Sequence, residues 1–421
     1  MRDGGRLAAA ITVLEDMAER HAPARLALKT WGEGARYAGA KDRAAVAGLV
    51  LDTLRRRRSL AFAMGDERPR SLVLALTRDG WGWSAERLRI AAGEDHGPGA
   101  LNDEEVARLD AAMALESAPP GVRGEFPDWL EPQMTRAFGL EAVSEGQALA
   151  QRAPIDVRVN TLRTDVGRAL KALEAFGAHP VELSATALRI QAPGSGERAP
   201  AIDTLPEFAK GWFEIQDLGS QVAAAMAGDI AHRQVLDLCA GGGGKTLALA
   251  AAMNNTGQLY AYDADARRLA DTQRRAIRGG VRNLQVRSPL RPDALSDLVG
   301  RMDLVFIDAP CSGSGAWRRH PDAKWRLTPA QLERRMAEQD TVLAEGASYV
   351  KPGGAMLYVT CSLFCEENED RIAAFLSRHP GFAAEPIAGD HVSENGFLRL
   401  TPRTAATDGF FAAALRRMTS D

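Results

Sequence analysis

Short apolar segments alternate with helical segments through the second half of the chain, and this alternation limits the fold more than any other feature. Segments typical of buried strands occur at 235–238, 258–263, 302–307 and 356–359, with helical patterns between them. Strands that alternate with helices in this way form parallel sheets covered on both faces. The sequence therefore predicts a doubly wound α/β domain, which we assign to residues 211–421.

The first half of the chain has a different pattern. Residues 1–118 are rich in Ala, Leu, Arg and Glu, with apolar residues at helical spacing, and predict an all-helical domain. The Pro- and Gly-rich stretch Pro119–Pro132 is typical of a linker. Residues 133–210 mix strand and helix patterns and predict a small α/β region. Three such parts are within the range expected for 421 residues.

Composition excludes several classes of protein. Hydrophobic residues make up 45% of the chain and charged residues 25%, as in globular proteins. No apolar run reaches the roughly 18 residues of a transmembrane helix, and Glu15 and Asp16 interrupt the candidate core of a signal peptide. The four cysteines are too few for a disulfide scaffold. We therefore expect a cytoplasmic protein that makes no membrane contact.

Basic residues are concentrated in three segments, although the net charge is −3. Residues 1–70 carry a net charge of +5 and include the run Arg55–Arg58, and residues 267–291 carry +7. A third cluster lies at 317–326, where Trp317 and Trp325 are interleaved with four basic residues. Any one of these segments is equally well explained as a solvated surface. The three together favour a polyanionic partner such as nucleic acid.

The segment Val235–Thr246 reads VLDLCAGGGGKT and joins a strand to a helix through four glycines. Such loops let the backbone approach a ligand and direct helix N–H groups toward it. A phosphate-binding P-loop requires glycine where Cys239 stands, and a dinucleotide fingerprint requires glycine where Thr246 stands. S-adenosylmethionine is the third candidate, because Asp237 opens the loop and Asp263 ends the next strand, where a carboxylate would hold ribose hydroxyls. A turn that binds no ligand is the remaining alternative.

Two cysteines follow two further strands. Asp308 and Cys311 lie in Phe306–Gly315, FIDAPCSGSG, and Cys361 lies in YVTCS after the next strand. Because ligands bind at the carboxyl edge of parallel sheets, we expect these three side chains to converge there. Each cysteine alone is explained as a small buried residue. A metal site is not favoured, because the seven histidines are scattered and the Cys361–Cys365 spacing has no second pair. Together, the aspartate and two cysteines predict a nucleophilic site.

Several motifs of the chain closely resemble those of the RNA (cytosine-5) methyltransferases of the RsmB/Nop/Sun family. They are DLCAGGGGKT, DAPCSGSG, KPGG at Lys351–Gly354, and YVTCS followed by EENE at Glu366–Glu369. The resemblance covers residues 125–418 and implies a class I, Rossmann-like methyltransferase domain preceded by a small RRM-like α/β region. Residues 36–58 are similar to the NusB-like helical domain of some bacterial members, which implies that the N-terminal domain binds RNA.

The resemblance also implies a role for each matched residue. Cys361 would attack carbon 6 of the target cytosine, Asp308 would bind the base, and Cys311 would assist removal of the carbon 5 proton and release of the product. The implied cofactor is S-adenosylmethionine. It would be held by Cys239, Ala240, Gly241, Gly242, Gly243, Gly244, Lys245, Asp263 and Asp308.

The chain departs from the family pattern in two places. Gly241 and Gly242 replace the usual Ala and Pro, which gives the loop more conformational freedom. The aspartate expected near the adenine is absent from Arg287–Leu290, and Asp293 is the nearest carboxylate. The segment Arg318–Pro329 is expected to form an active-site loop that contacts RNA.

The predicted function is methylation of carbon 5 of cytosine in RNA by a monomer that needs no metal. Ribosomal RNA is favoured over transfer RNA, which stays open as the substrate. Two alternatives stay open. One is a non-catalytic RNA-binding or ribosome-assembly factor that keeps the fold. The other is a nucleotide-dependent enzyme that uses the glycine loop on a phosphate.

Overall fold

The computed structural model describes residues 1–111 and 113–419, which divide into two compact units. We call the first the helical unit; it comprises Met1–Arg152, Ala192–Ala199 and Trp317–Leu327. We call the second the sheet unit, and it contains the other described residues.

The helical unit forms because its helices each carry one apolar face. In the first helix Leu7, Ile11 and Leu14 recur at intervals of three and four and are buried against Val46 and its neighbours. The α-helices of residues 1–152 are α1 (Asp3–Arg20), α2 (Ala24–Gly34), α3 (Ala40–Arg55), α4 (Arg57–Met64), α5 (Pro69–Ala75), α6 (Ala85–Ala92), α7 (Asp103–Asp110), α8 (Pro120–Arg123), α9 (Glu131–Phe138) and α10 (Ala142–Leu149).

The stretch Pro119–Pro132 is folded, so its prediction as a linker is wrong. It contains α8 and a 3₁₀ turn at Asp128–Leu130, and Phe126 and Leu130 are buried within the helical unit. Proline residues stand in the first turns of α8 and α9, where a missing N–H costs nothing. The same residues that suggest a linker therefore begin helices here.

A small antiparallel sheet begins the sheet unit. Its strand order is β2-β3-β1-β4, and Val157, Leu188 and Phe213 on the strands are buried with Leu173 of the adjoining helix. The elements are β1 (Ile155–Val159), α11 (Val166–Leu173), β2 (His179–Pro180), β3 (Ala187–Ile190), α12 (Pro206–Ala209) and β4 (Phe213–Ile215). This is the mixed α/β character that the sequence predicts, but the predicted bounds 133–210 differ from the structure. Residues 133–152 belong to the helical unit, and β4 of the small sheet lies beyond residue 210.

The large sheet has the strand order β10-β12-β9-β8-β5-β6-β7, with β11 paired to β12. The elements in chain order are α13 (Leu218–Ala225), β5 (Gln234–Asp237), α14 (Gly244–Ala252), β6 (Gln258–Tyr262), α15 (Ala266–Gly279), β7 (Leu284–Arg287), β8 (Met302–Asp308), α16 (Pro321–Arg326, in the helical unit), α17 (Pro329–Tyr349), β9 (Val350–Thr360), α18 (Glu369–Arg378), β10 (Phe382–Glu385), β11 (Leu398–Leu400), α19 (Pro402–Ala405) and β12 (Phe410–Arg417).

The predicted Rossmann-like sheet is confirmed for the five neighbouring strands from β9 to β7, which are parallel. The strands β10, β11 and β12 pair antiparallel at one edge, which the sequence analysis does not anticipate. A run such as FFAAALRR in β12 reads as a strand in either direction, because apolar periodicity carries no information about strand orientation. The central strands are fully buried at Val235, Val305 and Phe306.

In the part of the chain that the structure describes, none of the helices combines the length and the apolar character needed to span a bilayer.

Candidate active site

Strand β8 delivers Asp308 to the carboxyl edge of the large sheet. Its residues Val305, Phe306 and Ile307 are completely buried, which fixes the strand in the middle of the sheet. The chain then turns through Ala309 and Pro310 to Cys311, and the N–H of Ala309 donates to the carbonyl of Val359 on the neighbouring strand at 2.9 Å. The turn that carries Cys311 is therefore anchored directly to β9.

Strand β9 brings Cys361 to the same edge. It runs parallel to β8 with Asp308 opposite Val359, so Cys361, two residues after Val359, lies just beyond Asp308 along the sheet edge. The Sγ atoms of Cys311 and Cys361 are 3.4 Å apart, within hydrogen-bond distance for two thiols. The hydrogen bond with Cys361, together with burial, raises the pKa of Cys311 well above that of a free thiol. The convergence predicted from the strand ends is thus present, and Cys311 is held as a neutral thiol.

Lys245, in the first turn of α14, pairs with Asp308. Its Nζ atom lies 2.8 Å from Oδ2 of the aspartate and 5.0 Å from the ring centre of Phe410. Burial lowers the pKa of Lys245, but the charges of Asp308, Cys361 and Asp237 raise it above the ordinary value. The lysine therefore stays positively charged beside the cysteines and forms an ion pair with Asp308.

The glycine loop is shaped by close contact with α15. Gly241 and Gly243 have φ angles of +54° and +82°, and a Cβ atom on Gly243 would lie 2.9–3.0 Å from Thr272. The hydroxyl of Thr272 donates to the carbonyl of Gly241 at 2.9 Å, and Arg275 donates to the carbonyl of Gly242. The loop therefore needs glycine at position 243, whereas a Cβ on Gly242 has its nearest neighbour at 3.7 Å.

Asp263 follows β6 and is turned toward the loop. Its Oδ2 atom accepts the N–H of Gly241 at 2.8 Å, and its Oδ1 atom accepts the N–H of Asp265. Arg268 lies 3.4 Å from Oδ2. A carboxylate oxygen has two lone pairs; Oδ2 uses both on Gly241 and Arg268, whereas Oδ1 has one left to accept a ligand hydroxyl. The placement is that expected of a ribose-binding residue.

Asp237, the last residue of β5, helps to decide whether the glycine loop can hold S-adenosylmethionine. This residue is completely buried; Oδ2 accepts the hydroxyl of Thr246 at 2.7 Å, while Oδ1 has no hydrogen-bond partner among the described residues. Burial raises its pKa to about 7. The first N–H groups of α14 also have no partner within the helix. An unused buried acceptor, free N–H groups and Asp263 fit a ligand that carries an ammonium, a carboxylate and ribose hydroxyls.

Ala240 and Cys239, at the start of the glycine loop, attach the loop to the large sheet. The N–H of Ala240 donates to Tyr262 at 2.8 Å, which ties the loop to the end of β6. Cys239 packs against the core of the large sheet, and burial raises its pKa well above the ordinary value. Cys239 is therefore a neutral contact surface rather than a reactive thiol.

The structure also contains a buried residue to which the sequence analysis assigns no role. Glu367 is 0% exposed, and its carboxylate accepts hydrogen bonds from the residues that follow both cysteines, Ser312 and Ser362. The only sequence signal for it is the EENE motif at Glu366–Glu369, which is part of the resemblance and says nothing about contacts.

The segment Arg318–Pro329 differs from its prediction as an RNA-contacting loop. Lys324 is 1% exposed, Trp325 donates from Nε1 to the carbonyl of Leu54 at 2.7 Å, and Asp322 accepts the N–H of Ala24. The prediction is wrong for these residues because their polar atoms are used in packing the helical unit. Their aromatic and basic character is that of an interior anchor.

The structure also bears on the predicted adenine contact and on metal binding. Asp293, the nearest carboxylate to the missing adenine contact, is exposed. Within residues 1–111 and 113–419, no three His, Cys, Asp or Glu side chains are grouped as a metal site would require.

Comparison with known proteins gives the same picture. Residues 227–416 match the family model described as 16S rRNA methyltransferase RsmB/F, and residues 126–196 match the RsmF/B-like, ferredoxin-like domain. The probable ribosomal RNA small subunit methyltransferase B of Synechocystis sp. is 30% identical over 342 residues, which cover 78% of this chain and 72% of that protein. The ribosomal RNA small subunit methyltransferase B of Erwinia tasmaniensis is 34% identical over 297 residues, covering 69% and 66%.

Two solved structures share the fold. The structure described as PH0851 matches with a TM-score of 0.76 and 25% identity, over 99% of each chain. The structure of NSun6 from Pyrococcus horikoshii with SFG matches with a TM-score of 0.63 and 21% identity, over 70% of this chain and 99% of that one. From the family models and the relatives together, the chain belongs to the RsmB/F family of RNA methyltransferases, whose methyl donor is S-adenosylmethionine.

Proposed function

We propose that this protein methylates carbon 5 of a cytosine in RNA, through a covalent bond between Cys361 and carbon 6 of the base. The observation that carries the proposal is the pair of thiols 3.4 Å apart beside the Lys245–Asp308 ion pair. A site for transfer to a hydroxyl or an amine would need one base, whereas two thiols suit a reaction that adds a nucleophile and later eliminates it.

The chemistry assigns a separate task to each side chain. Carbon 5 of cytosine is a weak nucleophile until a thiolate adds to carbon 6, and Cys361 makes this bond. Asp308 accepts hydrogen bonds from the amino group and the protonated ring nitrogen 3 of the adduct. When bound, S-adenosylmethionine would supply the methyl group to carbon 5. Loss of the carbon 5 proton to solvent, assisted by Cys311, then returns the C–H electron pair to the ring double bond. The bond to Cys361 breaks, its sulfur keeps the bonding pair, and the methylated base is released.

The cofactor would be held by the loop from Cys239 to Lys245 and by Asp263. The evidence for this is the close-packed glycine turn, the unused oxygen of Asp237 and the N–H groups at the start of α14. The charge of Lys245 interacts with Cys361, the proposed nucleophile. The target base has to leave its stack to reach these groups, which suits a single strand, a loop or a flipped nucleotide.

We also propose that the helical unit binds the RNA backbone. It contains a cavity of about 460 Å³ whose lining includes Arg56, Arg123 and Trp81, together with Arg152 in an ion pair with Asp52. Within the described residues, Arg56 forms no ion pair and Nε of Arg123 has no hydrogen-bond partner. Arginines without carboxylate partners beside an aromatic ring suit phosphate and base contacts.

The favoured substrate is ribosomal RNA, since the named relatives are ribosomal RNA small subunit methyltransferases. The cytoplasm is the compartment that goes with this substrate and with four free cysteines. We expect the protein to act as a monomer.

Bisulfite sequencing of total RNA from cells with and without the gene tests the proposal. A cytosine in ribosomal RNA that is protected in wild-type cells and converted in the deletion strain would support both reaction and substrate. If no cytosine changed in ribosomal or transfer RNA, the cytosine-5 assignment would fail. Binding of S-adenosylmethionine by the purified protein would then separate another methylation reaction from a non-catalytic RNA-binding factor.

A further inference from the structure

A buried carboxylate next to the two cysteines has no task in the reaction proposed above. Glu367 ends the 3₁₀ turn Cys365–Glu367 and is 0% exposed. Among the described residues, no lysine or arginine pairs with it. A buried charge without a cation is costly unless hydrogen bonds compensate for it. The partners of this carboxylate therefore indicate what it does.

Four donors point at the carboxylate of Glu367. Oε1 accepts the backbone N–H of Ser312 at 2.7 Å and Nε2 of Gln339 at 3.0 Å. Oε2 accepts the hydroxyls of Ser312 and Ser362, each at 2.5 Å. Ser312 directly follows Cys311, and Ser362 directly follows Cys361. One carboxylate thus holds both of the turns that carry the cysteines.

We call the carboxylate of Glu367 with its donors on Ser312, Ser362 and Gln339 the clasp, and other hydrogen bonds join the same turns. Nε2 of Gln339 also donates to the carbonyl of Pro310 at 2.9 Å, on the other side of Cys311. The N–H of Gly315 donates to the carbonyl of Cys361 at 2.9 Å. The first bond runs from a side chain to the backbone and the second joins two backbone segments, and both can form without Glu367. Loss of the carboxylate would therefore loosen the two turns without separating them.

We propose that Glu367 is a positioning residue that holds Cys311 and Cys361 at their separation of 3.4 Å. The role rests on the proposed reaction, which needs both thiols on one base. The negative charge of Glu367 also acts electrostatically on Cys311, because it helps to raise the pKa of that thiol. Burial raises the pKa of Glu367, while its four donors oppose that effect and occupy the lone pairs of an ionised carboxylate. Glu367 thereby disfavours a thiolate at Cys311.

The first test compares Glu367→Gln with Glu338→Gln. Glutamine has nearly the same shape but carries no charge and presents an N–H group to donors that need an acceptor. We expect kcat for RNA methylation to fall at least tenfold, with KM for S-adenosylmethionine changed less than about twofold. Glu338 is a partly exposed carboxylate paired with Arg335 and is the matched control. An unchanged kcat would overturn the proposal. So would a fall in kcat that is accompanied by a comparable fall in cofactor affinity and by a lower melting temperature, since that is general destabilisation.

A milder variant covers the case in which Glu367→Gln does not fold. Ser362→Ala removes one of the four donors and leaves the carboxylate in place. We expect a smaller loss of kcat for Ser362→Ala alone, and an unchanged kcat would contradict the proposal even where Glu367→Gln does not fold. Where Glu367→Gln folds, the two losses in the double variant should be less than additive, because both substitutions act on the same carboxylate contact. Full additivity would mean that Ser362 and Glu367 act independently, and would contradict the proposal.

The second test does not depend on turnover. The two cysteines are alkylated with iodoacetamide over a range of pH, and each is quantified by peptide mass spectrometry. Removing a nearby negative charge favours the thiolate, so Glu367→Gln should shift alkylation of Cys311 to lower pH, and Glu338→Gln should not. If this shift appeared in a protein that methylated no cytosine, the proposed function would fail while the role of Glu367 stood. If methylation occurred and the pH profile of Cys311 did not move, the electrical part of the role would be wrong.

Discussion

The carboxyl edge of the large sheet and the run Arg55–Arg58 both gather charged or reactive side chains, but they hold them differently. At the sheet edge, Asp308 and Cys361 follow neighbouring parallel strands whose register is set by backbone hydrogen bonds. Residues that are 53 positions apart in the chain therefore arrive in one place. Any ligand at this edge meets all of them together.

The four arginines lie where α3 ends and α4 begins, and consecutive residues of a helix point about 100° apart. Arg55 is buried and bonds to Asp52, Arg57 pairs with Glu67, and Arg58 pairs with Asp128. Arg56 alone of the four is without an ion pair in the described part of the chain, and it lines the cavity of the helical unit. A sheet edge thus collects distant residues, whereas a helix end disperses adjacent ones.

The largest expected effect is at the sheet edge. Cys361→Ala should lower methylation of RNA by more than about 10³-fold, because no other group can form the bond to carbon 6. Cys311→Ala should instead accumulate a covalent protein–RNA complex, since addition proceeds and release does not. Electrophoresis under denaturing conditions and the rate of methyl transfer measure the two effects, with cofactor binding as the control for folding. Normal turnover by Cys311→Ala would rule out the two-thiol reaction.

The next largest effect concerns the ion pair behind the cysteines. Lys245→Met leaves Asp308 without its cation, and the free energy of unfolding should fall by about 2 kcal/mol, less than for a fully buried pair because the Asp308 side chain is 33% exposed. Lys351→Met is the matched control, since Lys351 pairs with Asp303 but is 43% exposed, and it should cost less than about 1 kcal/mol. Denaturant unfolding measures both variants, and equal losses would show that the Lys245–Asp308 pair is no stronger than a surface pair.

The sequence predicts the sheet edge well because each of its residues belongs to a local pattern. Strand, turn and reactive residue are adjacent in FIDAPCSGSG and in YVTCS, and parallel pairing does the rest. Glu367 is missed for the opposite reason. Its function depends on Ser312, 55 residues earlier, and on Gln339 in α17, and no periodicity reports such contacts. The prediction therefore succeeds for residues that the fold brings to the edge and fails for those that hold them there.

At the same edge, the glycine loop contains one glycine that the backbone requires, Gly243, and one that has room for a side chain, Gly242. Gly243→Ala forces a Cβ against Thr272 at a φ of +82° and should cost about 1–3 kcal/mol, with cofactor affinity reduced about tenfold. Gly242→Ala has room and should change stability by less than about 1 kcal/mol. Calorimetric titration with S-adenosylmethionine and thermal unfolding distinguish the two. If both variants bound the cofactor normally, the loop would not be its binding site.

The basic segments show why charge counts are a poor guide to a binding surface. Residues 267–291 carry a net charge of +7, yet Arg275 and Arg278 both bind Glu214, and Arg268 lies against Asp263. These side chains shape the sheet unit and the glycine loop. Glu214 is distant in sequence and Asp263 lies just before residue 267, so neither partner is counted within the segment. The residues left for RNA are those without partners, and only the folded chain identifies them.

Arg56 gives the smallest expected effect and the sharpest test of this distinction. Arg56→Ala should change the free energy of unfolding by less than about 0.5 kcal/mol, because the side chain holds no ion pair. It should weaken RNA binding equally for different sequences and reduce the slope of log affinity against log salt by about 0.7–0.9, the value for one phosphate contact. Arg68→Ala is the control, since Arg68 is 83% exposed and paired with Asp66. If both variants left the slope unchanged, the cavity of the helical unit would not contact phosphate. If Arg56→Ala instead destabilised the unit as a buried arginine would, Arg56 would belong with Arg55 as a structural residue, and the distinction within the run would disappear.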